Sequence, residues 1–183
     1  MKMDKMIEEH INHIKDIRGY FLTDRKLINF IRFRPGNQDI NVIKEKVMAV
    51  ANHDRADYFI RCGFHKHIKK LQIDSPLGQG ELSIAVSVAQ NGKATIDYEN
   101  IEFASRYCAV HSPAYFPLWN SHSLKIAEAC SKSCFSPDDY LEYSAVDQGM
   151  KSKHNLAPLN YFEISKFFWI YQDDLIRYYT SNY

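Results

Sequence analysis

The chain has 183 residues, of which 45% are hydrophobic and 25% charged, proportions that are typical of a globular domain and exclude a disordered chain. The formal net charge of +1 argues against a protein that coats nucleic acid by charge alone, while still allowing a local basic patch. No export signal follows the first lysines and no apolar run is long enough to cross a bilayer, so we expect a cytoplasmic protein without membrane contact whose four cysteines are reduced.

Apolar periodicity predicts helices through the first third of the chain. Four isoleucines on one face predict a helix over residues 6–20, in which His10 and His13 are read as part of a solvated polar face rather than a metal site. The Pro35-Gly36-Asn37 break separates two further predicted helices.

A single helix is predicted from residue 56 to about residue 71, with a basic far end. That end carries Arg61, His65, Lys66, Lys69 and Lys70, the most nucleic-acid-like patch in the chain. Cations at the carboxyl end of a helix also complement its dipole without any ligand. With so small a net charge, the dipole explanation is favoured over nucleic-acid binding.

The next two segments are less regular. Residues 75–80 are predicted to form a loop, and their two glycines are a poor match to a phosphate-binding loop because no Lys-Ser or Lys-Thr pair follows. Residues 82–97 fit a helix capped by Gly92, and the alternative is a small β-hairpin with a turn at Asn91-Gly92. We favour the helix because serine and alanine at alternate positions suit close helix packing.

Residues 99–130 form the stretch around which we expect the chain to be organised. Two helical patterns flank a proline-bounded corner at residues 112–121, in which Phe116, Leu118 and Trp119 are expected to be packed. Asn120 or Ser121 is predicted to cap the second helix.

Two capping patterns start the last helices. Ser136-Pro137 begins one, and Asn160 with Glu163 begins another that is predicted to continue to about residue 175. With no repeat and no long linker, the sequence predicts a mainly α fold, a single-domain helical bundle over residues 1–183.

Parts of the second half of the chain resemble a family of uncharacterised bacterial proteins. FASRYC at residues 103–108, His111 and FPLWNS at residues 116–121 are similar to a family motif close to FASKYC, a histidine and FPIYDS. The run FEISKFFWIY at residues 162–171 is similar to the common ending of that family.

That family in turn distantly resembles the helix-hairpin-helix DNA glycosylases, whose signature includes a VDTHV run at residues matching 119–123 here. Their aspartate assists departure of the damaged base. Asn120 stands at its position, and an amide cannot carry the charge that supports this reaction. The hairpin with its glycines and catalytic lysine should match residues 97–102, which hold neither residue type. The resemblance therefore implies a helix-hairpin-helix-like fold without glycosylase activity. Its motif site would be formed by Tyr107, His111, Trp119, Asn120, Ser121 and His122.

Cys108, His111, Cys130 and Cys134 have the right ligand types for zinc, but their spacing is loose and the first pair falls on a predicted helix. We therefore expect no metal and no cofactor, and rank a Cys108 nucleophile lower still. Two functions remain open: a non-catalytic nucleic-acid-binding domain, and a protein-interaction domain or homodimer. An enzyme with an unrecognised site ranks third.

Overall fold

The computed structural model describes residues 22–51 and 55–181, together with residues 5 and 9. The helix predicted over residues 6–20, with His10 and His13, lies outside these residues apart from Glu9. Within the described residues the chain is helical and contains no strand, which confirms the mainly α fold.

The described helices are connected by short turns. Their bounds are α1 (Leu22–Arg32), α2 (Ile40–Val50), α3 (Ala56–Arg61), α4 (Phe64–Leu71), α5 (Asp74–Gln79), α6 (Ser83–Gln90), α7 (Tyr98–His111), α8 (Ser121–Ser131), α9 (Tyr140–Lys153), α10 (Tyr161–Ile170) and α11 (Gln172–Ser181), with one 3-10 turn (Pro137–Asp139) before α9.

Helix α7 is the centre of the core. Nine of its 14 residues are buried, so it is covered on nearly all sides rather than along one stripe. Helices α1, α2 and α6 pack against it, and α6 does so most extensively. Phe103 of α7 stacks on Phe59 of α3 at 4.2 Å between ring centroids, and Phe64 of α4 meets both rings edge-on. This aromatic cluster fixes α3 and α4 against the central helix.

The chain after α7 packs largely around α8. Helices α9, α10 and α11 all contact it. Asn160 forms the predicted capping box of α10, since its side chain accepts from the amides of Phe162 and Glu163 while Glu163 accepts from the amide of Asn160. Ser136 and Asp139 form a second box ahead of α9.

Two predicted helices are each divided in the structure. The helix predicted over residues 56–71 breaks at Gly63, whose φ of +79° is a left-handed conformation that suits glycine. Consequently Arg61 lies on α3, and the prediction that it shares a helix with the lysines of α4 was wrong. The last helix breaks at Tyr171, which separates α10 from α11.

Residues 75–80 are not the predicted loop. They belong largely to α5, whose C-cap is Gly80 with a φ of +71°. The segment 82–97 contains α6 followed by a turn at Asn91 and Gly92, both with positive φ. The helical interpretation of this segment is therefore correct, and the β-hairpin alternative is wrong.

Candidate functional site

The corner between α7 and α8 is held by tyrosines from α9. The hydroxyl of Tyr140 donates to the carbonyl oxygen of Pro117 at 2.9 Å, and the hydroxyl of Tyr143 donates to that of Leu118 at 2.7 Å. Both tyrosines are fully buried and lie one turn apart, so one face of α9 satisfies two carbonyls of an irregular segment. Buried carbonyls without such partners would each cost about 1–3 kcal/mol.

Trp119 is buried in this corner, as predicted. Its backbone amide donates to Ser105 Oγ of α7 at 3.0 Å, and its ring meets Tyr143 edge-on at 5.0 Å. The indole Nε1 is buried and has no hydrogen-bond partner among the described residues. The side chain therefore anchors α8 to α7 chiefly by apolar and ring contacts.

Asn120 is the N-cap of α8. Its Oδ1 accepts from the amides of His122 at 3.1 Å and Ser123 at 3.0 Å, and its Nδ2 donates to Ser165 Oγ of α10 at 2.9 Å. Ser121 begins the helix and is exposed. Because both ends of the Asn120 amide are engaged, the side chain has a structural role at this corner.

Asn120 also lines an open cleft, which we call the corner cleft. It has a volume of about 170 Å³ and is lined by Asp24, Glu102, Ser105, Arg106, Leu118, Trp119, Asn120, Phe162, Ser165 and Lys166. Asp24 and Lys166 form an ion pair across it. A second cavity of about 190 Å³ shares Glu102 and Arg106 as walls. Burial raises the pKa of Glu102, although the Arg55 and Arg106 charges oppose the rise.

Two polar side chains in the walls of the corner cleft are already engaged. The position that the resemblance matches to a catalytic carboxylate is an engaged amide. Lys166, which lies nearby, is already paired with Asp24. A nucleophile for base release would need to be unpaired and deprotonated.

His122 lies behind the cap rather than in the cleft. Its Nδ1 is 2.6 Å from Gln172 Oε1 of α11, and its ring meets Trp169 edge-on at 6.4 Å. This contact ties the start of α8 to the junction of α10 and α11. His122 is not among the residues that line the corner cleft, although its backbone amide donates to the wall residue Asn120.

Tyr107 and His111 lie on a different face of α7 and are not brought together with Asn120. Tyr107 donates to Asn37 Oδ1 at 2.7 Å. Asn37 in turn donates to Asp74 through its amide at 2.9 Å and through Nδ2 at 2.6 Å, and Lys46 Nζ donates to Asn37 Oδ1 at 3.3 Å. These four residues, Asn37, Lys46, Asp74 and Tyr107, form a polar network that joins α2, α5 and α7 to the loop before α2.

The pKa values of the charged groups in and beside this network are shifted from their ordinary values. Burial lowers the pKa of Lys46 to about 8, against the attraction of Asp74. Burial alone would raise the pKa of Asp74, but hydrogen bonds from Asn37 and Gln38 lower it overall. Burial, with the charge of Lys46, lowers the pKa of His111 to about 3, so its imidazole is neutral at pH 7. A cavity of about 460 Å³ lies beside the network, and Gly36, Asp74 and His111 are among its walls.

The sequence prediction missed Asn37, Lys46 and Asp74. One signal was available: Lys46 lies between Ile43 and Val50 on the buried face of α2, where a lysine must find partners. Its Nζ also donates to the carbonyl oxygen of Gly36 at 2.6 Å. The network therefore pins the Pro35-Gly36-Asn37 break to the core, and Lys46 itself is fully buried.

The basic face of α4 consists of Lys66, Lys69 and Lys70. All three side chains are exposed, and none makes an ion pair in the part of the chain that the structure describes. His65 is half-buried beside them. The prediction that the three lysines face solvent is confirmed. Sequence reasoning missed a fourth cation, Lys44 of α2, because only the packing of α2 on α4 brings it near.

The cysteines offer no obvious reactive centre. All four are free thiols, and burial raises the pKa of the fully buried Cys108, which disfavours its thiolate. Among the described residues, no group of three or more histidine, cysteine and acidic side chains is arranged to hold a metal ion. Nor does any helix in the described ranges have both the length and the apolar character needed to cross a bilayer.

Comparison with known proteins gives one finding about ancestry. The family model HI_0787_N, described as an N-terminal domain, matches residues 6–115. The match includes all of α1–α7 and ends inside the corner. No curated protein and no solved structure matches the chain.

Proposed function

The chain belongs to the HI_0787_N family, an uncharacterised family whose model covers more than half of its residues, and we propose that it binds the phosphate backbone of nucleic acid without catalysing a reaction. The observation that supports this proposal is the basic face of α4, where three exposed lysines lie on a helix without any acidic residue. Such lysines bind phosphates by charge and read no base sequence.

The helix dipole accounts for only part of this surface. Lys69 and Lys70 lie in the last turn of α4, where cations complement the partial negative charge of the helix end. Lys66, however, is the third residue of the helix, where the dipole disfavours a cation. A phosphate ligand would explain why Lys66 stands there, uncompensated by any ion pair among the described residues.

The absence of catalysis is part of the proposal and rests on Asn120. A helix-hairpin-helix-like fold related to the DNA glycosylases remains a proposal that depends on the resemblance at residues 119–123. The engaged Asn120 amide supports a capping role for that segment instead of base release. Asn120→Asp would restore the carboxylate, and it is the variant to assay for this activity.

We also propose that residues 1–183 form one cytoplasmic domain. One cluster of buried apolar side chains extends from Ile31 of α1 to Tyr179 of α11, which supports a common core. Four free thiols support a reducing compartment. Both points are open to test by limited proteolysis and by fractionation of the source cells.

Charge reversal on α4 tests the binding proposal. Labelled single- and double-stranded DNA would be titrated at low salt with the unmodified protein and with the Lys66→Glu, Lys69→Glu, Lys70→Glu triple variant. We expect weak binding by the former and none by the latter, with an unchanged helical circular dichroism spectrum. Absence of binding by the unmodified protein would refute the proposal.

A matched control distinguishes the effect of losing the α4 lysines from the effect of changing the net charge of the protein. Arg25, Lys26 and Lys125 are exposed and lie on α1 and α8. Changing these three to Glu alters the net charge by the same amount while leaving α4 intact. We expect this control to retain most of the binding, because phosphate contacts are short-range under screening. Equal loss in both triple variants would remove the assignment to α4.

The second candidate function is binding of a protein partner or of a second copy of the chain. Trp169 and Ile170, adjacent at the end of α10, are 53% and 47% exposed, and exposed aromatic side chains are enriched in interfaces. Sedimentation of the unmodified protein and of Trp169→Ser over a range of concentrations would test this. Self-association that the variant lacks would support this second function.

A further inference from the structure

Helix α2 packs on α4, and the positive charges of Lys44 on α2 and Lys66 on α4 both act on His65. Lys44 and Lys66 are exposed, and His65 is half-buried. The acid next to Lys44, Glu45, is engaged elsewhere, since its carboxylate accepts from Arg34 Nε at 3.1 Å. Two cations and an imidazole are thus placed on adjoining helices without a protein carboxylate to balance them among the described residues.

His65 is an unusual member of this group because one nitrogen of its ring lacks a hydrogen-bond partner among the described residues. Its Nδ1 is buried and has no hydrogen-bond partner in the described part of the chain. Buried polar atoms generally have partners, so an orphan of this kind calls for an explanation. The neighbouring His67, by contrast, places its Nε2 2.8 Å from the carbonyl oxygen of Ser87.

The surroundings of His65 disfavour the charged form of its imidazole. Burial lowers the pKa of His65, and the positive charges of Lys66 on its own helix and Lys44 on α2 lower it further. Of the other helices packed against α4, α3 carries Asp57, Tyr58 and Arg61, none of which contributes to the shift, and α6 carries no titratable side chain. The free protein therefore disfavours protonation of His65 relative to an ordinary histidine.

We propose that Lys44, His65 and Lys66 form a phosphodiester site across α2 and α4, at which binding brings a proton from solvent onto His65. This site rests on the proposed function, because it assumes that nucleic acid lies against the basic face of α4. The phosphate anion would neutralise the field of the two lysines and itself attract a positive imidazole. No covalent bond forms or breaks in this step, and one proton is taken up from solvent.

Proton uptake makes the affinity depend on pH in a defined direction. If the bound form holds His65 at a higher pKa than the free form, the association constant rises as the pH falls between those two values. When one proton is taken up, the association constant changes by at most about tenfold per pH unit. DNA phosphates stay ionised near neutral pH, so the dependence reports a group on the protein.

The test uses a fluorescein-labelled DNA duplex titrated at about pH 6 and about pH 8 at one low salt concentration. We expect the unmodified protein to bind several-fold more tightly at the lower pH. His65→Gln should lose this difference, and the matched control His67→Gln should keep it. Lys44→Gln should weaken binding at both pH values and reduce the salt slope by about one.

A second experiment measures the protonation of His65 directly. The NMR titration of the His65 ring should show a higher pKa when the duplex is present than when it is absent. Binding with equal affinity at both pH values, or a pH difference that His65→Gln retains, would overturn the proton-coupled site and leave the proposed function standing. Absence of duplex binding at both pH values would overturn both.

Discussion

Asp147, on the inner face of α9, carries the sharpest prediction for stability. It is 2% exposed, and its Oδ2 has no hydrogen-bond partner among the described residues. Burial raises the pKa of this carboxyl to about 7, although the Lys151 charge one turn away opposes the rise. The folded chain thus holds the Asp147 proton more tightly than the unfolded chain. Its contribution to stability is full below about pH 4 and is lost as the pH rises through 7.

The magnitude follows from the two pKa values. The rise from 3.8 to about 7 corresponds to an upper limit of about 4 kcal/mol, at 1.36 kcal/mol per pKa unit. Asp147→Asn removes the charge but leaves an amide in the same pocket, which adds a roughly pH-independent cost of about 1–3 kcal/mol. The free energy of unfolding of the variant, minus that of the parent, should therefore increase by up to about 4 kcal/mol between pH 4 and pH 8.

Guanidinium unfolding followed by circular dichroism at several pH values measures this difference. Glu142→Gln is the matched control, because Glu142 lies exposed on the same helix. We expect the control to follow the parent at every pH. A parent and an Asp147→Asn variant whose stabilities change in parallel from pH 4 to pH 8 would refute the reasoning.

Two further predictions concern the corner and the thiols. Asn120→Ala should lower the free energy of unfolding by about 1 kcal/mol through loss of the cap. Asn120→Asp keeps the hydrogen-bond acceptor and should change the free energy of unfolding little. If Asn120→Asp released bases from damaged duplex DNA, the corner would be a silenced active centre. Protein purified without chelator should contain no stoichiometric zinc by elemental analysis; one zinc per chain that is lost in Cys130→Ser or Cys134→Ser would contradict this.

Local signals in the sequence were sufficient for much of the fold. Asn120 and Asn160 were predicted as helix caps because capping depends on an amide within three residues along the chain, and both side chains make those bonds. Breaks were harder to place. Gly63 interrupts a continuous apolar pattern with a positive φ, and the helices on both sides of it, α3 and α4, pack on α2.

The site could be predicted only in part, because its key contacts are distant in sequence. The lysines of α4 are neighbours along one helix, so periodicity alone indicated a shared surface. Lys44 joins them through helix packing, which no local pattern specifies. Tyr107 meets Asn37 across 70 residues of chain. The resemblance to the family motif grouped Tyr107 with Asn120, although the two side chains have separate hydrogen-bond partners, Asn37 and Ser165.

The salt dependence of DNA binding tests the central claim most directly. If Lys44, Lys66, Lys69 and Lys70 contact phosphates, the logarithm of the association constant should fall with the logarithm of salt concentration with a slope of about −3 to −4 on duplex DNA. Replacing Lys66, Lys69 and Lys70 by Gln should reduce the slope to about −1, while the Arg25, Lys26 and Lys125 replacements should leave it unchanged. A slope that the α4 replacements do not alter would contradict the account.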